Sequence, residues 1–136
     1  MTTVIFACVH NAGRLQMAAA FFNQLADPRR ARALSAGTAP AAHVHPEVVA
    51  VMREVGIDLS DARPSRLTDE LAAGAQLRVT MGCGVHCPVV PGLRRDDWEL
   101  PDPKGQAVDR VRAIRDQIEG RVRQLLVAEG WQLSAV

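Results

Sequence analysis

The sequence predicts an α/β fold: a parallel sheet covered on both faces by helices. Three observations carry this. Short apolar runs alternate with longer segments whose apolar residues recur every three or four positions, the pattern of strands followed by helices. The first strand candidate, Val4 to Ala7, is apolar without interruption, as a strand buried on both faces must be. Cys8, Cys83 and Asp102 each come just after a strand candidate, and ligands in folds of this class bind at the carboxyl ends of the strands.

Taken in chain order, Val4 to Ala7 runs into Cys8-Val9-His10-Asn11-Ala12-Gly13, where Asn11, Ala12 and Gly13 suit a tight turn. From Arg14 onward Gln16, Met17 and Ala18 to Ala20 favour helix, predicted to run to Ala26 with Met17, Phe21 and Leu25 on its buried face and Asp27-Pro28 ending it. Ala31 to Ala36 is the second strand, closed by Gly37-Thr38-Ala39-Pro40, and Ala41 to His45 is loop. Pro46 opens a second helix whose Val48, Val49, Met52 and Val55 face inward before Gly56 caps it. Leu67 to Ala73 is a short helix with Thr68 as N-cap, and Leu77 to Met81 is the third strand. Asp97 to Leu100 is the fourth. A long helix over Gly105 to Glu129 carries an apolar stripe of Val108, Val111, Ile114, Ile118, Val122 and Leu125, and Gly130 ends it.

The chain of 136 residues is expected to form a single domain over residues 1–136 with a real core. Its 48% hydrophobic and 23% charged residues are ordinary for a soluble globular protein. A net charge of +1 and an aromatic content of 4% argue against a nucleic-acid binder. No apolar run approaches membrane-spanning length, and the N-terminus lacks a signal-peptide layout, so a cytoplasmic protein is expected. Three cysteines, an odd number, favour reactive thiols over a disulfide framework.

A turn between strand and helix points backbone N–H groups and a helix N-terminus at one spot, which favours an anion. Cys8 stands at the mouth of that turn, with Arg14 closing a Cys-x5-Arg spacing. A thiol beside such positive groups is expected to have a depressed pKa, and the guanidinium fork suits two oxygens of a tetrahedral oxyanion. Cys83 and Cys87 are separated by three residues in a glycine-containing segment before Pro88. The residues leave three readings of them open: a redox pair, a metal site formed with His86 and either His43 or His45, and two inert loop cysteines. Asp102, held between Pro101 and Pro103, is a candidate general acid once it is coupled to the Cys8 turn. His10 is expected to pack locally rather than act as a base, and Trp98 to serve as a core or pocket-wall residue.

These residues reach a family. Cys8-Val-His-Asn-Ala-Gly-Arg14, Ser35-Ala-Gly-Thr38, Val55-Gly-Ile-Asp-Leu-Ser60, Met81-Gly-Cys-Gly-Val-His-Cys-Pro88 and Asp97-Trp-Glu-Leu-Pro-Asp-Pro103 together resemble arsenate reductases built on the low-molecular-weight protein tyrosine phosphatase fold. The resemblance covers essentially the whole chain. It implies a four-stranded parallel sheet flanked by helices, no cofactor and no metal, and a role in arsenical resistance. Cys8 resembles the nucleophile; Val9, His10, Asn11, Ala12, Gly13 and Arg14 resemble the oxyanion cradle; Asp102 resembles the general acid. Cys83 and Cys87 resemble two relay thiols that pass a disulfide outward after Cys8 has attacked arsenic. The implied partners are arsenate, with phosphate or sulfate able to occupy the same cradle, and a reductant, either thioredoxin or a low-molecular-weight thiol such as mycothiol. No nucleic acid or membrane is implied.

One position departs from the family, which usually places Ser or Thr directly after the loop arginine. This chain has Leu15, which cannot donate a hydrogen bond to a thiolate. Two alternative functions stand beside arsenate reduction. A low-molecular-weight phosphatase would need Cys8, Arg14 and Asp102 but neither relay cysteine, and the absence of Tyr removes an obvious aromatic wall for phosphotyrosine. An oxyanion-binding or redox protein weakened by Leu15 is the non-enzymatic reading.

Overall fold

The computed structural model describes residues 2–8, 10, 12–81, 94–101 and 103–133. Among them the chain forms β1 (Thr2–Cys8), α1 (Arg14–Leu25), β2 (Ala31–Gly37), α2 (Pro46–Arg53), α3 (Asp69–Ala73), β3 (Leu77–Thr80), β4 (Arg94–Asp97) and α4 (Val108–Glu129). The four strands make one sheet in the order β2-β1-β3-β4. All pairings are parallel: β1 runs beside β2 from Thr2↔Ala31 to Cys8↔Gly37 and beside β3 from Val4↔Leu77 to Ala7↔Thr80, while β3 pairs with β4 from Leu77↔Arg94 to Thr80↔Asp97. From β1 the chain crosses one way to β2 and then back past it to β3. The carboxyl end of β1 is therefore the point where strand order reverses, and Cys8 stands on it.

The two faces of the sheet are unequal. Val4, Phe6 and Cys8 join the larger core with Met17, Phe21 and Phe22 of α1, Val48, Val51 and Met52 of α2, and Val111 to Leu126 of α4. Phe6 stands at its centre, its ring 6.2 Å from Phe22 edge-on and 5.6 Å from Trp98. On the opposite face Ile5, Ala7 and Ala36 pack with Leu67, Ala72 and Ala75, the last three from α3 and its flanks.

Local chemistry sets the element ends. Pro46 occupies the first turn of α2. Thr68 caps α3, its hydroxyl accepting from the Leu71 N–H at 3.1 Å. Gly130 closes α4 at φ 72, a left-handed conformation that glycine adopts without steric cost. Across α2 and α4, Arg115 donates to the Val51 carbonyl and to Glu54, and Arg112 forks on to Glu54. Hydrogen bonding from Arg112, then from Arg115, holds the Glu54 carboxyl below the usual carboxylate range, against the opposing effect of desolvation.

The two outer strands end the sheet differently. On β2, the Asn23 side chain accepts from the Ala33 N–H at 2.8 Å and donates back to the Ala33 carbonyl at 3.0 Å, taking the place of a neighbouring strand. Further along, Gly37 donates to the Ser65 carbonyl and accepts from the Leu67 N–H. The other outer strand, β4, reads Arg-Arg-Asp-Asp and is exposed along its length.

Several expectations shift. The fourth strand lies at Arg94–Asp97 rather than Asp97–Leu100. An edge strand held by backbone pairing alone has no apolar signature, and the apolar Trp98 that suggested a strand is instead buried under the sheet against Phe6. In α2, Val51 takes the buried place expected of Val55, which is 37% exposed beyond the helix end. In α4, Val108 is exposed as the first helical residue, and Leu126 rather than Leu125 completes the buried stripe. That helix starts at Val108 and not at Gly105, whose φ of 72 is incompatible with a right-handed helix. Leu67 lies outside α3, where its N–H is bound to the Gly37 carbonyl. Among the described residues, no helix is long and apolar enough to cross a membrane.

Candidate active site

The site is built from the end of β1 outward. Cys8 closes a strand whose residues from Thr3 onward are all buried, so its backbone is fixed by packing before any functional contact is made. Its Sγ lies 3.8 Å from the Met81 carbonyl, at the end of the neighbouring β3 and two residues before Cys83 in the sequence.

Beyond Cys8 the loop is held from one side. Thr38 N–H donates to the Cys8 carbonyl, Ala41 N–H to the His10 carbonyl and His45 N–H to the Ala12 carbonyl, each at 2.9 Å. Three alternate carbonyls are thus drawn on to the 38–45 segment. Across a trans peptide the C=O and N–H point in opposite directions, so the Gly13 N–H faces away from His45. Helix α1 begins at the next residue with no acidic side chain in its own first turn to offset the positive end of its dipole.

Gly13 is needed for a close approach. A Cβ at this position would stand 2.9 Å from Pro103 Cγ and 3.3 Å from His45 Cδ2. Arg14, half-buried, donates from Nη1 to the Leu100 carbonyl at 2.6 Å. Leu100 and Pro103 flank Asp102 in sequence, so the segment after β4 touches the loop at both Gly13 and Arg14.

Of the residues singled out from sequence, Cys8, His10, Ala12, Gly13 and Arg14 share this one loop. His10 is exposed, its Nδ1 3.4 Å from the Ala39 carbonyl on the outer side, in keeping with local packing. Val9, Asn11, Cys83, Cys87 and Asp102 lie outside the described residues, as does His86. Leu15 is 2% exposed and belongs to the larger core, so the side chain that departs from the family pattern is a packing residue. Sequence reading does not find the parts played by the 38–45 segment, by the Leu100 carbonyl or by the Pro103 ring. The first two act through backbone atoms, which carry no residue signature. Pro103 reads in sequence only as a brace for Asp102.

A loop at the switch point of a parallel sheet, with a cysteine at its start and an arginine at its end, suggests a class, and the chain matches it. Residues 3–134 match the model of the low molecular weight phosphotyrosine protein phosphatase family, and the chain belongs to that family. Several of its relatives are named arsenate reductases. A putative arsenate reductase of Halobacterium salinarum is 42% identical over 124 residues, 88% of this chain and 87% of that protein. A glutaredoxin arsenate reductase of Synechocystis sp. is 35% identical, over 93% of this chain and 97% of that one. Among solved structures, the Corynebacterium glutamicum thioredoxin-dependent arsenate reductase superposes with a TM-score of 0.81 at 39% identity, covering 94% of this chain. This chain spans 61% of the length of that one. An arsenate reductase in the phosphate binding state superposes with a TM-score of 0.82 at 33% identity, over 94% of this chain and 98% of that one.

Proposed function

We propose that this chain reduces arsenate to arsenite, with Cys8 as nucleophile. The observation that carries the proposal is the loop after β1, whose carbonyls at Cys8, His10 and Ala12 are drawn to one side while Cys8 and Arg14 stand at its two ends. That is a cradle for a tetrahedral oxyanion with a thiol at its mouth.

In this reading the Cys8 thiolate attacks arsenic while Arg14 and the loop amides hold the remaining oxygens. Asp102 protonates the departing hydroxide, which leaves as water. Cys83 then attacks Cys8 in the Cys8–arsenic adduct. The S–As bond breaks and its electron pair goes to arsenic, which is reduced from As(V) to As(III) as the Cys8–Cys83 disulfide forms. Cys87 attacks Cys83 in turn, freeing Cys8 and leaving a Cys83–Cys87 disulfide for thioredoxin to reduce. Support for thioredoxin comes from the thioredoxin-dependent Corynebacterium relative; a low-molecular-weight thiol acting directly on the arsenic adduct is the alternative. Such a relay requires a reducing compartment, which makes the cytoplasm the proposed location.

The test is steady-state arsenate turnover with a thioredoxin system and, separately, with small thiols. Cys8→Ser should fall to the background rate with either reductant while its circular dichroism and melting curve stay close to wild type. A Cys8→Ser protein that retains turnover would remove Cys8 as nucleophile. A wild-type protein that hydrolyses aryl phosphate but leaves arsenate unreduced would assign the site to phosphate-ester hydrolysis instead.

A further inference from the structure

We infer that His45 is a positioning residue of the oxyanion cradle, holding the Ala12–Gly13 peptide so that the Gly13 N–H is aimed at the anion. The inference rests on the reading of this loop as an anion cradle.

Gly13 itself cannot set that direction. With no side chain it accepts both orientations of the peptide preceding it, and a flip about the Ala12–Gly13 unit would exchange the N–H for a carbonyl oxygen. A carbonyl facing the anion would repel what the N–H attracts. His45 opposes the flip through its backbone. Its N–H donates to the Ala12 carbonyl at 2.9 Å, a bond that only one orientation of the peptide can make.

His45 is in turn well anchored. It is the residue before Pro46, at φ −59 and ψ 131, and it caps the helix whose Val48, Val51 and Met52 are fully buried. The residue before a proline is confined to extended conformations, so the donor has little freedom to turn away. The orientation of one cradle amide is therefore set by a residue thirty-odd positions away, through the core packing of α2.

Its φ makes His45 unusually testable. Proline at position 45 would fit a φ of −59 and remove the N–H, whereas His45→Ala removes the ring and keeps the N–H. Phosphate is the probe, with affinity measured by calorimetry and the Cys8 pKa by thiolate absorbance. His45→Pro should bind phosphate roughly ten- to a hundredfold more weakly, the worth of a hydrogen bond to a charged group, and should raise the Cys8 pKa. His45→Ala should stay close to wild type in both. Equal phosphate affinity and equal Cys8 pKa in wild type and His45→Pro would overturn the inference and leave the cradle standing. Wild-type protein that binds no phosphate would overturn the cradle reading and this inference with it. Should His45→Pro fail to fold, the Gly13 amide decides the matter in the wild-type protein. Its proton resonance should move downfield on phosphate addition, and an unresponsive Gly13 amide would refute the assignment.

Discussion

Strands β1 and β4 both deliver a segment to the proposed cradle, but they are held by different means. β1 arrives closed to solvent from Thr3 to Cys8, paired on both sides. β4 lies at the sheet edge with Arg94 to Asp97 all exposed, paired on one side only. The loop leaving β1 starts from a backbone that the core has already fixed. The segment leaving β4 is fixed by a few contacts: Trp98 against Phe6, the Trp98 N–H on the Thr80 carbonyl, Leu100 on Arg14 and Pro103 on Gly13. The two halves of the site therefore differ in what a single substitution can do to them. The half carrying Cys8 is overdetermined, and the half carrying Leu100 and Pro103 hangs on its anchors.

Breaking the main anchor should have the largest effect. Trp98 is 3% exposed, tilted against Phe6 and covered by the Arg121 guanidinium at 5.9 Å. Trp98→Ala should cost about 3–5 kcal/mol of stability by loss of transfer energy and packing, read by urea denaturation. It should also weaken phosphate binding by releasing the segment that meets Gly13 and Arg14. Unchanged phosphate affinity in a folded Trp98→Ala protein would show that the β4 half contributes nothing to the cradle.

The second prediction sharpens the comparison from the β1 side. Leu15 sits in the core where the family usually has a hydroxyl, so Leu15→Ser should move stability and chemistry in opposite directions. The lost packing should cost about 2–4 kcal/mol, in the range of large-to-small core substitutions. A hydroxyl there can donate to the Cys8 thiolate, which should lower the Cys8 pKa, measured as alkylation rate against pH. An unchanged or higher pKa would mean that the loop amides and Arg14 set the thiolate alone.

The smallest effect concerns the support behind His45. Glu54 has its carboxyl pKa lowered in the folded protein by Arg112 and then Arg115, so its contribution is present above the ordinary carboxylate range and lost as pH falls through the lowered value. Glu54→Gln should lower Tm modestly at pH 7, and the difference from wild type should close as the pH falls below the ordinary carboxylate range and through the lowered value. A difference that persists at low pH would assign the role of Glu54 to packing rather than charge.

The same contrast explains how much of the molecule is legible in its sequence. β1, its loop and α1 are legible because a buried strand must be apolar, a tight loop must be small and a helix must favour Ala, Met and Gln. β4 is displaced by three residues from its expected place because its stability lies in backbone pairing, which any side chain permits. The apolar Trp98 draws the expected strand towards itself, although its burial serves the core and not the ladder. Thr38, Ala41 and His45 give no signal for the same reason: each acts through its N–H. Leu15 reads in sequence as a missing donor, and only the fold shows it as a core residue. The residues alone make Asp102 a candidate general acid and Cys83 and Cys87 a candidate redox pair, and the resemblance is what implies their places in one relay.

Asn23 has a consequence that reaches beyond the single chain. An outer strand with bare N–H and C=O groups is a template on which a second molecule can add its own strand, and growth of that kind ends in insoluble assemblies. By occupying both backbone groups of Ala33, the Asn23 amide removes the rung on which such growth would start. At the far side the four consecutive charges of Arg94 to Asp97 disfavour an incoming hydrophobic strand. The sheet that presents Cys8 at one end of its central strand β1 is thereby discouraged from extending at either side.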